Sequence, residues 1–167
     1  NIMTGLLAPS SGKLLIDAYD SQRLDIRDFQ KRIGYITQEP VIFDDSVYNN
    51  VTFWAERSDA HVKRFWDALE KAHIADFVRQ QQDGEDTRLG NNGISLSGGQ
   101  KQRISIAREL FKEVVFLFMD EATSALDSET EKNIQNSIDT LKGQYTIVII
   151  AHRQSTIQNA DRVVVLK

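Results

Sequence analysis

The sequence contains no cysteine, which excludes disulfides and every metal site built on thiolate. That usage fits a reducing compartment. No apolar run approaches the roughly 20 residues of a membrane-crossing helix. The longest strongly apolar run, Val114 to Met119, has the length of a strand. Neither sign of charge dominates, with 20 Lys and Arg against 24 Asp and Glu and a net charge of −4. Bulk charge therefore gives no reason to expect a nucleic-acid partner. Internal repeats and low-complexity tracts are absent too. What remains is ordinary globular material: 167 residues, 41% hydrophobic and 26% charged, enough for one domain with a modest insert.

The chain alternates strands and helices. Lys13 to Asp17 reads as a short strand, and Ile33 to Thr37 as a second, closed by Gln38-Glu39-Pro40. Ser58-Asp59 starts a helix, along which Val62, Phe65, Trp66 and Leu69 recur at helical spacing. Ile74 to Gln82 is expected to continue as helix, and Asp83 to Gly93 is loop. A further helix is predicted over Gln100 to Lys112, with Ile104, Ala107, Leu110 and Phe111 on one face. Its basic residues Lys101, Arg103 and Arg108 read as a solvated face. Val114 to Met119 is apolar without alternation, the pattern of a parallel strand buried on both sides. Ser128-Glu129-Thr130-Glu131 is a capping-box pattern, and Gly143 ends the helix it opens. Thr146 to Ala151 and Val163 to Leu166 read as further strands. Such an order implies right-handed crossovers and a parallel sheet.

Three polar groups fall at the ends of these strands: Gln38, Asp120-Glu121 and His152. In a parallel sheet they would converge on one rim, where ligands of such sheets bind. One carboxylate could hold Mg²⁺ together with phosphate oxygens. The other could orient a water or take its proton. Ser97-Gly98-Gly99-Gln100 adds a second signal. Ser97 is a natural N-cap, and the glycines let a phosphate approach N–H groups at the positive end of a helix. A serine and two glycines alone make a flexible turn with an ordinary cap. Asp120 and Glu121 lie twenty-one and twenty-two residues beyond Gly99, and that combination is far more specific.

On these residues the chain resembles the nucleotide-binding domain of ATP-binding-cassette (ABC) transporters. Leu96 to Gln100 (LSGGQ) is similar to the family signature, Val114 to Glu121 (VVFLFMDE) to Walker B with the catalytic glutamate, and Ser124 to Asp127 (SALD) to the D-loop. His152 matches the switch histidine and Gln38 the Q-loop glutamine. Gln38 to Phe43 with Asn49-Asn50-Val51 most resembles exporter-type domains, usually fused to a membrane half. Thr87 to Gly93 resembles the exporter segment that touches the membrane domains. That segment often carries a glutamate where this chain has Asn91, and its Asn-Gly pair is similar to that of bacterial lipid and oligosaccharide flippases.

The resemblance implies an α/β fold: a P-loop NTPase-like parallel sheet core, approximately 1–54 and 113–167, with a helical signature subdomain at approximately 55–112. It implies ATP and Mg²⁺, with Asp120 and Gln38 at the metal. Glu121 would act as base, His152 at the γ-phosphate, and Gln38 in coupling. Ser97, Gly98, Gly99 and Gln100 would clamp the ATP of an opposing subunit, and Asp127 would organise the dimer contact. The implied partners are a second nucleotide-binding domain and a transmembrane domain, at the cytoplasmic face of a membrane. The family's GxxxxGK[ST] loop does not occur in the sequence. Asn1 to Leu7 reads as the tail of the helix that follows that loop. The chain is therefore expected to begin just downstream of it, without the preceding strands, and to turn over ATP negligibly by itself. Two other readings stay open: a soluble ABC-type ATPase of translation, and a non-catalytic binding or regulatory relic.

Overall fold

The fold is that of a computed structural model describing residues 2–120, 128–151 and 159–165, and within them not the side chains of residues 128–130 and 133. The Lys13–Asp17 expectation is corrected. Only Leu15–Ile16 (β1) is strand, and it pairs antiparallel with Tyr19–Asp20 (β2), Leu15 facing Asp20 and Ile16 facing Tyr19. Asp17 and Ala18 both take positive φ, 47° and 69°, the geometry of a two-residue hairpin turn that follows strand twist. Ile26–Lys31 (α1), capped by Asp25, then leads into Ile33–Ile36 (β3).

Beyond β3 come Val47–Thr52 (α2) and Asp59–Lys71 (α3), whose N-caps Ser46 and Ser58 accept from Asn49 and His61 N–H groups. The helix expected over Ile74–Gln82 is corrected to Ala75–Arg79 (α4). His73 turns left-handed at φ 53°, which ends α3 and lets Ile74 drop into the core. The signature-like helix runs Gly98–Phe111 (α5), two residues earlier than the sequence suggests. The Ser97 hydroxyl accepts the Gln100 N–H at 3.3 Å, and the Gln100 side chain accepts the Ser97 N–H at 2.8 Å. This reciprocal box satisfies groups a bare helix end would leave without partners.

Phe116–Asp120 (β4), Ser128–Leu141 (α6) and Thr146–Ile150 (β5) complete the described elements. The sheet order is β3-β4-β5, all parallel. Leu117, Phe118 and Met119 of the central strand are buried, as an unalternating apolar run requires. β5 is flanked by β4 alone among the described residues, and both its ends are exposed. The expected strand at Val163 is corrected as well. Val163, Val164 and Val165 are exposed and pair with no strand among the described residues. β-branched residues favour strands only where a neighbour completes the ladder.

α5 packs against α2, α3, α6 and β3, and Ile134, Ile138 and Leu141 of α6 join the same core. Gly34 permits the close approach of α5 to the sheet. A Cβ there would meet Leu117 Cδ2 at 2.7 Å and Glu109 Cβ at 3.0 Å. α5 is not amphipathic in the simple sense expected of it. Arg108, expected on a solvated face, is 5% exposed. Its guanidinium donates to the Asn50 carbonyl and lies over the Phe43 and Phe53 rings.

Candidate functional site

Parallel pairing brings the carboxyl ends of the strands to one edge. Ile36 pairs with Met119, and Asp120 pairs with Ile150. Asp120 therefore closes the central strand while Gln38 leaves beside it, two residues past the end of β3. Gln38 is exposed. The segment carrying it is tethered from α5, because the buried Gln102 side chain donates to the Thr37 carbonyl at 3.4 Å. The Thr37 hydroxyl donates to the Glu39 carbonyl at 3.0 Å.

Asp120 has a partner that the sequence does not suggest. The Tyr35 hydroxyl donates to Asp120 Oδ2 at 2.9 Å. Tyr35 faces Phe118 in the ladder, so Asp120, two residues on, shares its face of the sheet. Burial, with the bond to and the charge of Asp120, pushes the Tyr35 phenol above its usual range. The Tyr35 backbone N–H donates to Glu109 Oε2 at 3.3 Å. Glu109 is itself held by Lys112 Nζ, 2.9 Å from both carboxylate oxygens.

These contacts also orient α5. Glu109 meets Tyr35 and Gln102 meets Thr37, so the helix runs antiparallel to β3. Its glycine-bearing start projects past the strand ends, toward the same side as Asp120 and Gln38. At about 1.5 Å per residue, Ser97 lies roughly 7 Å beyond Gln102 along the helix axis. Ser97 and Gly98 are exposed and Gly99 is buried. The N–H groups of Gly98 and Gly99 belong to the first turn and have no intrahelical acceptor, which with the helix dipole suits an anion. Among the described residues, none of Ser97, Gly98 and Gly99 hydrogen-bonds to Asp120 or Gln38. The two halves face one side without forming one closed site.

Beside the helix start, Pro40, Ile42, Gly90, Ile94, Leu96 and Lys101 line a shallow groove of about 220 Å³. Gly90 sits at φ 90°, where a Cβ would meet Asp44 Cα at 2.9 Å. Arg88 pairs with Asp44 at 3.6 Å, and the Asn92 amide donates to the same carboxylate. Asn91 is exposed on this rim.

Glu121, Asp127 and His152 lie outside the described residues. The remaining donor set at the strand ends is hard oxygen, from the Asp120 carboxylate and the Gln38 amide. Among the described residues no three His, Cys, Asp or Glu side chains gather into a metal site. Mg²⁺ fits such a place, because it takes one or two protein carboxylates and completes its shell with phosphate oxygens and water. Tyr35, Gln102 and Glu109 escaped the sequence reading. Gln102 and Glu109 stand seven residues apart on one helix face, and two polar residues interrupting a buried stripe were the available signal.

Residues 1–124 match the ABC transporter family. The chain is 42% identical over its whole length to an ATP-dependent lipid A-core flippase of Ralstonia nicotianae, covering 28% of that protein. It is 41% identical over 99% of its length to the ATP-dependent lipid A-core flippase of Francisella tularensis, covering 27% of that protein. The chain thus spans less than a third of the length of these relatives. Among solved structures, a bacterial Atm1-family ABC exporter with ATP bound superposes over 96% of the chain and 28% of its own length. The TM-score is 0.79 at 35% identity.

Proposed function

The chain belongs to the ABC transporter family, and on that premise we propose that it is an ATP-binding and ATP-hydrolysing domain powering export or lipid or oligosaccharide flipping. The observation carrying this reading is the shared orientation of two features: the central strand ending on Asp120 beside Gln38, and the glycine-opened start of α5 projecting past the same edge. Neither half is a complete nucleotide site. Each supplies what the other lacks, so two such domains head to tail would enclose ATP between the carboxylate of one and the helix terminus of the other. The partner domain, at the cytoplasmic face of a membrane, completes the site. A transmembrane domain receives the motion. Among the described residues no helix is long and apolar enough to cross a membrane. Relatives named as flippases, with an exporter as structural neighbour, favour transport over a soluble translation ATPase or a non-catalytic relic.

Asp120 and Gln38 hold Mg²⁺ in this reading. When bound, the ion neutralises charge on the phosphate oxygens. Glu121 orients the attacking water or takes its proton. His152 contacts the γ-phosphate, and Gln38, exposed on a segment anchored by Gln102, couples the site to the membrane partner. Ser97, Gly98, Gly99 and Gln100 form the site for the γ-phosphate of the opposing subunit's ATP: the Gly98 and Gly99 N–H groups and the Ser97 hydroxyl donate to it, and Gln100 holds the turn through its capping bonds with Ser97. Asp127 organises the dimer contact. We assign residues approximately 55–112 to the helical unit and approximately 1–54 and 113–167 to the sheet unit.

The test is Glu121→Gln in the intact protein. ATP binding is expected to persist, turnover to fall at least about a hundredfold, and an ATP-dependent dimer to accumulate on size-exclusion chromatography. Turnover equal to the unsubstituted protein overturns the role of Glu121.

A further inference from the structure

The Tyr35 hydroxyl donates to a carboxylate that is itself proposed to hold a cation. The bond joins adjacent strands, Tyr35 on β3 and Asp120 on β4, eighty-five residues apart in sequence and 2.9 Å apart in space. Each end is fixed. Tyr35 sits in the parallel ladder opposite Phe118 and gives its N–H to Glu109 of α5. Asp120 closes β4 opposite Ile150. The two backbones are thus held side by side, and the 2.9 Å bond restrains the carboxylate about its last side-chain bond.

We infer that Tyr35 is a positioning residue for the metal-holding carboxylate: its hydroxyl ties Asp120 Oδ2 and sets the orientation in which the other oxygen meets Mg²⁺ or its water. The inference rests on the reading of Asp120 given above. A carboxylate that rotates freely must be ordered by the ion each time it binds, whereas one pre-set by a neighbouring donor need not be. Outer-shell partners of this kind commonly change metal affinity about ten- to a hundredfold when removed. Tyr35 is suited to that work and not to chemistry. Its hydroxyl is committed to Asp120 Oδ2 at 2.9 Å. The same residue touches α5, through Glu109. The geometry of the carboxylate is therefore set by the sheet and the helix together.

Tyr35→Phe in the intact protein removes the hydroxyl and keeps the ring. Mn²⁺ affinity, measured by electron paramagnetic resonance at saturating non-hydrolysable ATP analogue, is expected to fall about tenfold. The KM for Mg²⁺ in turnover should rise in parallel, while kcat at saturating Mg²⁺ stays near its original value. Two companions make the result decisive. Phe29→Leu disturbs the ring pair by which Phe29 of α1 packs on Phe116 of β4, the strand that carries Asp120, without touching the carboxylate, and its Mn²⁺ affinity should be unchanged. Asp120→Asn should lose Mn²⁺ binding more severely than Tyr35→Phe. Unchanged Mn²⁺ affinity in Tyr35→Phe, with loss in Asp120→Asn, overturns the positioning role and leaves the reading of Asp120 intact. Equal weakening by Phe29→Leu also overturns it, because general loosening then accounts for the effect. Unchanged affinity in Asp120→Asn overturns the metal reading and this inference with it.

Discussion

The Arg108 guanidinium donates to the backbone carbonyl of Asn50 at 2.7 Å, inside the protein and fifty-eight residues away along the chain. Asn50 is fully buried. Its side-chain oxygen accepts the Phe43 N–H at 2.8 Å, and its amide donates to the carbonyls of Phe43 and Ser46 at 3.0 Å. Asn50 thus closes the loop between β3 and α2, and Arg108 locks that loop to α5. Burial pulls the Arg108 guanidinium below its usual range, against the charge of Glu109. The cation is held by rings and carbonyls, not by a closely paired carboxylate.

That arrangement predicts unequal costs. Asn50→Ala strands several buried backbone groups and should lower unfolding free energy by about 3 kcal/mol or more. Arg108→Met leaves one carbonyl without its donor but also removes a desolvated charge, and should cost about 1–2 kcal/mol. Urea unfolding of the intact protein, followed by circular dichroism, compares the two. A larger loss in Arg108→Met would show that the cation, not the amide, carries the junction.

Much of this fold was legible because local chemistry and tertiary structure agree. Ser97, Ser58 and Gly143 mark helix ends by capping and backbone freedom, and the unalternating run before Asp120 marks the central strand. The misreadings share a cause: the deciding partner is remote or is a backbone state. Asp17-Ala18 and His73 turn left-handed without the glycine or Asn-Gly pair that announces such turns. Three valines at 163–165 look like strand in any window, yet only a neighbouring ladder makes one. Arg108 looks solvated because nothing near it in sequence reveals Asn50 or the two phenyl rings. The Tyr35–Asp120 bond is invisible for the same reason, although Gln38 and Asp120 could each be placed at strand ends.

The loop that Asn50 closes should also respond to acid. Asn49's amide, the Ser46 N–H and the Trp54 indole all donate to the Asp45 carboxylate, the last at 2.8 Å. The Asn49 bond is foremost in holding the Asp45 carboxyl below its ordinary range, followed by Ser46, Trp54 and the charge of Arg88. A folded-state value below the unfolded one means stabilisation that is complete above the unfolded value of about 3.9 and is lost as pH falls through the folded value. In a Trp66→Phe background, Trp54 emission should hold steady through mild acid and shift only below about pH 3.9. Asp45→Asn should abolish that transition. An acid shift identical in both proteins would place the titrating group elsewhere.

Ser97 separates the helix cap from the proposed phosphate site. Its hydroxyl caps Gln100, and aspartate caps a helix about as well as serine does. Ser97→Asp should therefore preserve stability within about 0.5 kcal/mol, while placing negative charge where an opposing γ-phosphate is expected. Ser97→Ala does the reverse. It loses about 1 kcal/mol of capping but adds no charge against the phosphate. If the exposed start of α5 meets ATP from a second copy, Ser97→Asp abolishes ATP-dependent dimerisation of the intact Glu121→Gln protein without lowering its melting temperature. Ser97→Ala lowers the melting temperature and still dimerises at higher ATP. If Ser97→Asp dimerises as readily as the parent, the capping box serves the helix alone, and the glycines after it hold nothing but their own turn.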